Sequence, residues 1–394
     1  LMLRARREKG IFILTLAIDF ILKILLFPSW LFNLSFKRKP ASNFKNILII
    51  ELWGIGDLVM MGVILESLKR SFPGTKISLL SKPQAKVIFK DSGLIQEYIE
   101  FEFPWTKFKA KYRFWKWDWQ GIIGIARYLK AQRFDLSMDA RGDFRNNLLS
   151  FIIGAKRRIG YAFTGGSYFL TEALSSDFKT RHRIDAWLNL LKYLGLKVDS
   201  PMPYLALSKE DEVRAADILS ACGIKEEDPL IGIHPGAKIK VRCWPLERFA
   251  RVAEYARDKY KVKIIVFVEP DGYGEDMPIA GEHIKLKASL RELMALIKKL
   301  RLLVCNESGP MHLACALGVP VIAIFGPGSK ASLGPCGPND TVVNKENITC
   351  RPCFDYCRFS EPFCISGIST QEVFLALDKQ MRSIEKINVS LAQL

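Results

Sequence analysis

Asn306-Glu307-Ser308-Gly309-Pro310-Met311-His312 lies between the apolar run 302–305 and a helix-like run that ends at Gly318, and a strand-like run, 319–325, follows at once. Strand, small-residue turn, helix and strand in that order form a phosphate-binding unit of α/β proteins. Ser308 or Gly309 can cap the helix, and Pro310 suits a first turn in which no amide donor is needed. The free amides at that end, together with the helix dipole, favour an anion. A carboxylate on Glu307 beside a diphosphate would be repelled unless it had another task. Accepting hydrogen bonds from sugar hydroxyls is such a task, so the segment points to a nucleotide-sugar site.

Two further turns carry reactive side chains. His234-Pro235-Gly236-Ala237 leaves a strand and runs through Lys238, Lys240 and Arg242 to Trp244-Pro245. A Gly-Ala turn lets a phosphate approach the backbone closely, and the cations could neutralise a departing diphosphate. The same residues also read as a surface loop with solvated lysines. Earlier, Trp53-Gly54-Ile55-Gly56-Asp57 separates the strand 46–52 from a helix over 58–70. Taken alone, Asp57 there reads as a helix cap, since a helix N-terminus lowers an aspartate's pKa.

The elements that must position these turns form two α/β patterns. Strands are expected at 46–52, 76–80, 134–139 and 158–161, with helices at 58–70, 122–130 and 183–194. Ser200-Pro201-Met202-Pro203-Tyr204 reads as a linker. Strands at 230–233, 262–268, 302–305 and 319–325 then alternate with helices at 209–222, 246–259, 289–299, 310–317 and 370–385. A chain of 394 residues holds two such domains comfortably. Apolar and charged contents of 49% and 25% exclude a disordered chain.

The net charge of +17 is local: residues 1–45 and 101–150 together hold +12 of it. Residues 11–27 are strongly apolar and flanked by Arg4, Arg6, Arg7, Lys9 and by Lys37-Arg38-Lys39. Their 17 residues fall short of the roughly 20 a spanning helix needs, so a helix in the membrane interface is expected. A helix packed on the protein itself is the alternative. Between Phe101 and Trp119 aromatic residues alternate with Lys and Arg, which suits bilayer headgroups, single-stranded nucleic acid or an amphipathic core element. Cys350, Cys353, Cys357 and Cys364 form C-x2-C-x3-C-x6-C, compatible with structural zinc, disulfides or reduced thiols.

The pattern HPGA, KxRxWP, NESGPMHLACALGVPVIAIFGP resembles the C-terminal half of the heptosyltransferase family, glycosyltransferase family 9. The match includes NILIIELWGIGDLVMMGVILESLK, Arg158-Ile159-Gly160-Tyr161 and His182-Arg183-Ile184-Asp185, and covers roughly residues 45–390 in order. The resemblance implies a GT-B fold, two Rossmann-like domains facing across a cleft, here with an N-terminal membrane-associating helix. The implied layout is a membrane-associating segment 1–40, an acceptor domain 41–205, a nucleotide-sugar domain 206–369 and a helix 370–394 packing back toward the N-terminal domain.

By the same resemblance, transfer inverts the anomeric centre, needs no cofactor or metal, and moves a heptose-like sugar from an ADP-heptose-like donor. The absence of any Asp-x-Asp agrees with the metal-free expectation. Asp57 becomes the general base and Arg242 a phosphate contact. Gly236, Ala237, Lys240, Ser308, Gly309, Pro310, Met311 and His312 are implied around the donor, with Glu307 on the sugar and Glu275 on the ribose. Gly56, Trp105 and Arg141 are expected on the acceptor side. Glu307 stands where the family usually has Asp, which leaves the sugar open. The expected partners are a nucleotide sugar, a lipid-linked saccharide and the cytoplasmic face of the inner membrane, with no nucleic acid. Another sugar or acceptor on the same fold, or a nucleic-acid-binding role for the basic surface, are the alternatives. An NAD-dependent oxidoreductase is disfavoured, because no strand is followed by G-x-G-x-x-G.

Overall fold

The computed structural model describes residues 43–107, 113–175, 182–198, 200–355 and 357–392, with side chains to 385. The apolar segment 11–27 and residues 108–112 of the aromatic stretch lie outside the described residues. The chain divides into two compact units between Pro201 and Met202, inside the proline-rich stretch.

In the first unit, β1 (Asn46–Glu51), β2 (Lys76–Ser81), β3 (Glu97–Glu100), β4 (Leu136–Asp139), β5 (Arg157–Tyr161) and β6 (Glu172–Leu174) form one sheet of order β3-β2-β1-β4-β5-β6. Every pairing is parallel. Ile47, Leu48, Ile49 and Ile50 are buried without alternation, as a strand covered on both faces requires. The second unit repeats the design with β7 (Leu230–His234), β8 (Lys263–Phe267), β9 (Ile284–Leu286), β10 (Leu302–Asn306), β11 (Val321–Phe325) and β12 (Thr341–Asn344), all parallel and ordered β12-β11-β10-β7-β8-β9. Both sheets therefore have the doubly wound order in which ligands meet the carboxyl ends of the central strands.

The C-terminal helix, Thr370–Ala392, was expected to pack back toward the first domain. Its Val373, Ala376, Leu377 and Met381 enter the second unit's core with Ile231, Trp244 and Val252. The spacing of those four makes one apolar stripe, and that stripe is spent on the helix's own unit. Asp378, on the same helix, accepts hydrogen bonds from the Tyr255 and Tyr260 hydroxyls and from Lys259.

The aromatic stretch splits. Trp105, expected on the acceptor side, is only 7% exposed, packed between Phe103 and Trp117, and its indole N–H donates to Asn146 Oδ1 at 3.4 Å. Its large apolar surface is taken into the core, where its N–H still finds an acceptor. Phe114, Trp115 and Trp119 remain at the surface, Trp115 with 60% exposure. No helix among the described residues is long and apolar enough to cross a membrane.

Trp105→Ala should therefore lower the unfolding free energy by about 3–5 kcal/mol in urea denaturation. A Trp115→Ala, Trp119→Ala double variant should stay within about 1 kcal/mol of wild type and lose binding to anionic vesicles. Unchanged stability in Trp105→Ala would place that ring outside the core, and unchanged vesicle binding in the double variant would remove the exposed pair from a membrane role.

Candidate functional site

In the first unit the polar groups gather where β1 and β4 end. The helix Ile55–Met61 follows β1 after a turn at Gly54, whose carbonyl accepts the Leu58 N–H at 3.0 Å. Asp57 is the third residue of that helix. Its Oδ2 accepts from the Gly54 N–H at 3.4 Å, so it does serve as a cap, while Oδ1 faces Arg141 Nη1 at 3.3 Å. The Arg141 guanidinium lies over the Trp53 ring, 4.3 Å from its centroid, which fixes the cation in place. Gly56, in the first turn, is half-buried beside Asp57.

Three residues given no site role from the sequence, Glu51, Asp139 and Arg183, complete this cluster. Glu51, the last residue of β1, is buried and accepts the Trp53 N–H at 3.2 Å. Glu51, Asp57, Arg141 and Arg183 line one small cavity with Met60, Ala140 and Trp187. Burial, then the neighbouring Asp57 carboxylate, pushes Glu51 up to about 8, while Arg141 pulls it down. Burial likewise raises Asp139 to about 6, although Asn146 and the Gly142 and Arg141 amides donate to its oxygens. Arg183 is held down to about 10 by burial and by Arg141. The apolar strand pattern that identified β1 gave no reason to read its final Glu as buried.

In the second unit, Asn306 joins the two expected donor loops. Its Nδ2 donates to Pro235 O at 2.6 Å and its Oδ1 accepts the Trp244 N–H at 3.1 Å. One side chain thus ties the Gly236–Arg242 loop to the turn that carries Glu307, Ser308 and Gly309. Ser308 caps the helix Gly309–Ala316 with extended backbone, and Pro310 sits in its first turn. The Ser308 hydroxyl has no hydrogen-bond partner among the described residues, an orphaned donor at the anion-favouring end of a helix. Met311 and His312 are buried behind it.

Glu307 is 3% exposed and lies against Gly328, where any Cβ would overlap its carboxylate. Arg242 Nη1 stands 3.3 Å from its Oε1. Burial nevertheless raises its pKa to about 7, against the pull of Arg242 and of the Gly328 amide. Gly236 has the same relation to Glu269, whose Oε1 is 3.7 Å from His234 Nε2. His234 is buried and pushed down to about 4, hence neutral. The acid beside the Gly236 turn is therefore Glu269. Glu275 is exposed; its carbonyl accepts from Lys285 and its N–H donates to Gly272 O at 3.0 Å, with the carboxylate in neither bond. Ala237 is half-buried beside the turn and Lys240 is exposed.

Burial, and then the nearby Cys353, Cys357 and Cys350, push the Cys364 thiol up to about 11, so the four clustered cysteines are neighbours in space. All nine cysteines are free thiols, and among the described residues no three His, Cys, Asp or Glu side chains form a set able to hold a metal. Cys364 is buried in the short helix Phe363–Ser366, whereas Cys350, Cys353 and Cys357 lie half-buried on the preceding loop.

Known proteins share this architecture. Glycosyltransferase family 9 (heptosyltransferase) matches residues 122–362. The lipopolysaccharide core heptosyltransferase OpsX of Haemophilus influenzae is 24% identical over 317 residues, covering 76% of this chain and 84% of that protein. The solved structure of a family 9 glycosyl transferase from Veillonella parvula superposes with a TM-score of 0.71 at 24% identity, covering 86% of this chain and 98% of that one. For the ADP-heptose lps heptosyltransferase II of E. coli the TM-score is 0.66 at 18% identity, with 86% and 99% covered.

The raised Glu51 pKa makes stability depend on pH. Between its ordinary 4.5 and about 8 the folded protein holds a proton that the unfolded chain has released. The stabilisation is full below that window and is lost as pH rises through it. Wild-type stability should fall from pH 5 to pH 9, and Glu51→Gln should remove on the order of 3 kcal/mol of that fall. Superimposable pH profiles in urea denaturation would contradict the assignment.

Proposed function

The chain belongs to glycosyltransferase family 9, and we propose that it transfers a heptose-like sugar from an ADP-linked donor to a lipid-linked saccharide such as a lipopolysaccharide core, with inversion. The observation that carries this reading is the Asn306 bridge. It holds Arg242, Glu307 and the start of the helix Gly309–Ala316 as one surface, with a cation, an orphaned hydroxyl and helix-end amides for phosphate and a carboxylate for sugar hydroxyls. Most family 9 relatives it matches are named for heptosyl transfer to lipopolysaccharide or lipooligosaccharide, which supports the sugar and the acceptor.

In the reaction so read, Asp57 removes the proton of the acceptor hydroxyl as that oxygen forms a bond to the anomeric carbon. The bond from that carbon to the diphosphate oxygen breaks on the opposite face. Arg242, Ser308 and the helix-start amides receive the charge of the departing diphosphate, so the step calls on no metal. Arg141 keeps Asp57 oriented, and protonated Glu51 spares it a second buried negative neighbour. Exposed Phe114, Trp115 and Trp119, near Arg113 and Lys116, support an acceptor presented at a membrane, which we place at the cytoplasmic face of the inner membrane.

A thermal-shift panel of nucleotide sugars on the full chain tests the donor assignment. An ADP-heptose should raise the melting temperature of the wild type, and Glu307→Ala should lose most of the increment that the sugar adds over ADP alone. If no sugar nucleotide stabilises the wild type, the donor site is misassigned.

A further inference from the structure

The guanidinium of Arg242 is engaged at all three nitrogens. Nη1 is 3.3 Å from Glu307 Oε1, Nε donates to the Phe354 carbonyl at 3.3 Å, and Nη2 donates to Asp355 Oδ1 at 2.9 Å. A guanidinium presents two forks to an oxyanion, Nε with Nη2 and Nη1 with Nη2. The first fork is filled by two oxygens from consecutive residues, in the way two oxygens of one phosphate would fill it.

The segment that supplies them is clamped beside the donor loops. Cys353 and Phe354 both donate their N–H groups to Pro327 O at 3.1 Å, and Arg351 Nη2 donates to Gly328 O at 3.0 Å. Gly328 is the residue against which Glu307 rests. Phe354 has a φ of 54°, a left-handed conformation that a bulky side chain disfavours. Its position is thus imposed by these contacts. Of the two acids on Arg242, Glu307 is 3% exposed and Asp355 is 51% exposed, so the Asp355 side is the one that can yield.

We propose that Asp355 is an internal competitor for the donor's diphosphate, exchanging with phosphate oxygens on the Nε–Nη2 fork of Arg242. The proposal rests on the reading of Arg242 as a phosphate contact. Exchange of one anion for another lowers the affinity for nucleotide and, after transfer, lets Asp355 retake Arg242 as the nucleoside diphosphate leaves. Asp355 acts through Arg242 and has no part in the bond changes. A carboxylate that merely orients Arg242 would have the opposite effect on binding, because its removal would leave the cation mobile.

Calorimetric titration of ADP into the full-length wild type, Asp355→Asn, Asp355→Ala and Arg242→Ala distinguishes these cases. Asp355→Asn and Asp355→Ala should bind ADP about three- to fivefold more tightly, the fold-change equivalent to about 1 kcal/mol for a partly exposed pair. Arg242→Ala should bind at least about tenfold more weakly. Weaker or unchanged ADP binding in both Asp355 variants, with Arg242→Ala still impaired, overturns the competitor role and leaves the donor site standing. Arg242→Ala binding ADP like the wild type overturns the donor reading and the proposal with it. The Asp355→Asn protein preserves size and hydrogen bonding, so its result stands even if Asp355→Ala folds poorly.

Discussion

A carboxylate taken out of water at the end of a parallel strand has to be neutralised, by a proton or by a cation held close. Both units of this chain are organised by that requirement. The central strands are buried on both faces and carry mostly apolar side chains, so charged groups find room only at the strand ends. Glu51 ends β1, Asp139 ends β4, and Glu307 follows β10; burial raises all three above ordinary carboxyl values. Arg141 and Arg183 answer the first two, and Arg242 with Arg351 the third. Arg141 is in turn fixed by Trp53, and Arg242 by the loop backbone at Phe354.

The same device yields different chemistry in the two units. In the first, the protonated Glu51 and the buried Asp139 leave Asp57 as the partly exposed carboxylate, hydrogen-bonded to a helix-start amide and paired with one guanidinium. In the second, Asn306 spends both ends of its amide on two loops, and the cost of burying it is offset by two hydrogen bonds. The result is a rigid surface on which Glu307, near its own pKa at neutral pH, sits with an orphaned hydroxyl beside it.

Much of this was legible in the sequence because it follows from local rules. Continuous apolar runs bounded by glycine turns gave β1, β7, β10 and β11, and those strands deliver the motifs. The strands that pattern reading missed are β3, β6, β9 and β12, the two edges of each sheet, which run to only three or four residues and are too short to show a period. Glu51 escaped notice because burial of a strand's last residue depends on what packs over it, here Arg183 from about 130 positions later. Burial of Trp105, read from the sequence on the acceptor side, was hidden for a related reason. Alternating aromatic and basic residues fit a surface and a core equally well, and only the ring's partners Phe103, Trp117 and Asn146 decide between them. Glu275 was preferred to Glu269 by motif position, whereas the backbone of Gly236 admits Glu269 alongside it.

In the mechanism proposed above, Asp57 takes the acceptor's proton while the donor is held independently of it. The direct measurement is transfer of radiolabelled heptose from ADP-heptose to heptose-deficient lipopolysaccharide by wild-type and Asp57→Asn protein, with ADP affinity measured on the same preparations. The account predicts a loss of transfer on the order of 10²- to 10⁴-fold in Asp57→Asn, with ADP bound as in the wild type. Transfer retained within about tenfold of wild type would contradict it, because general-base loss costs more than that.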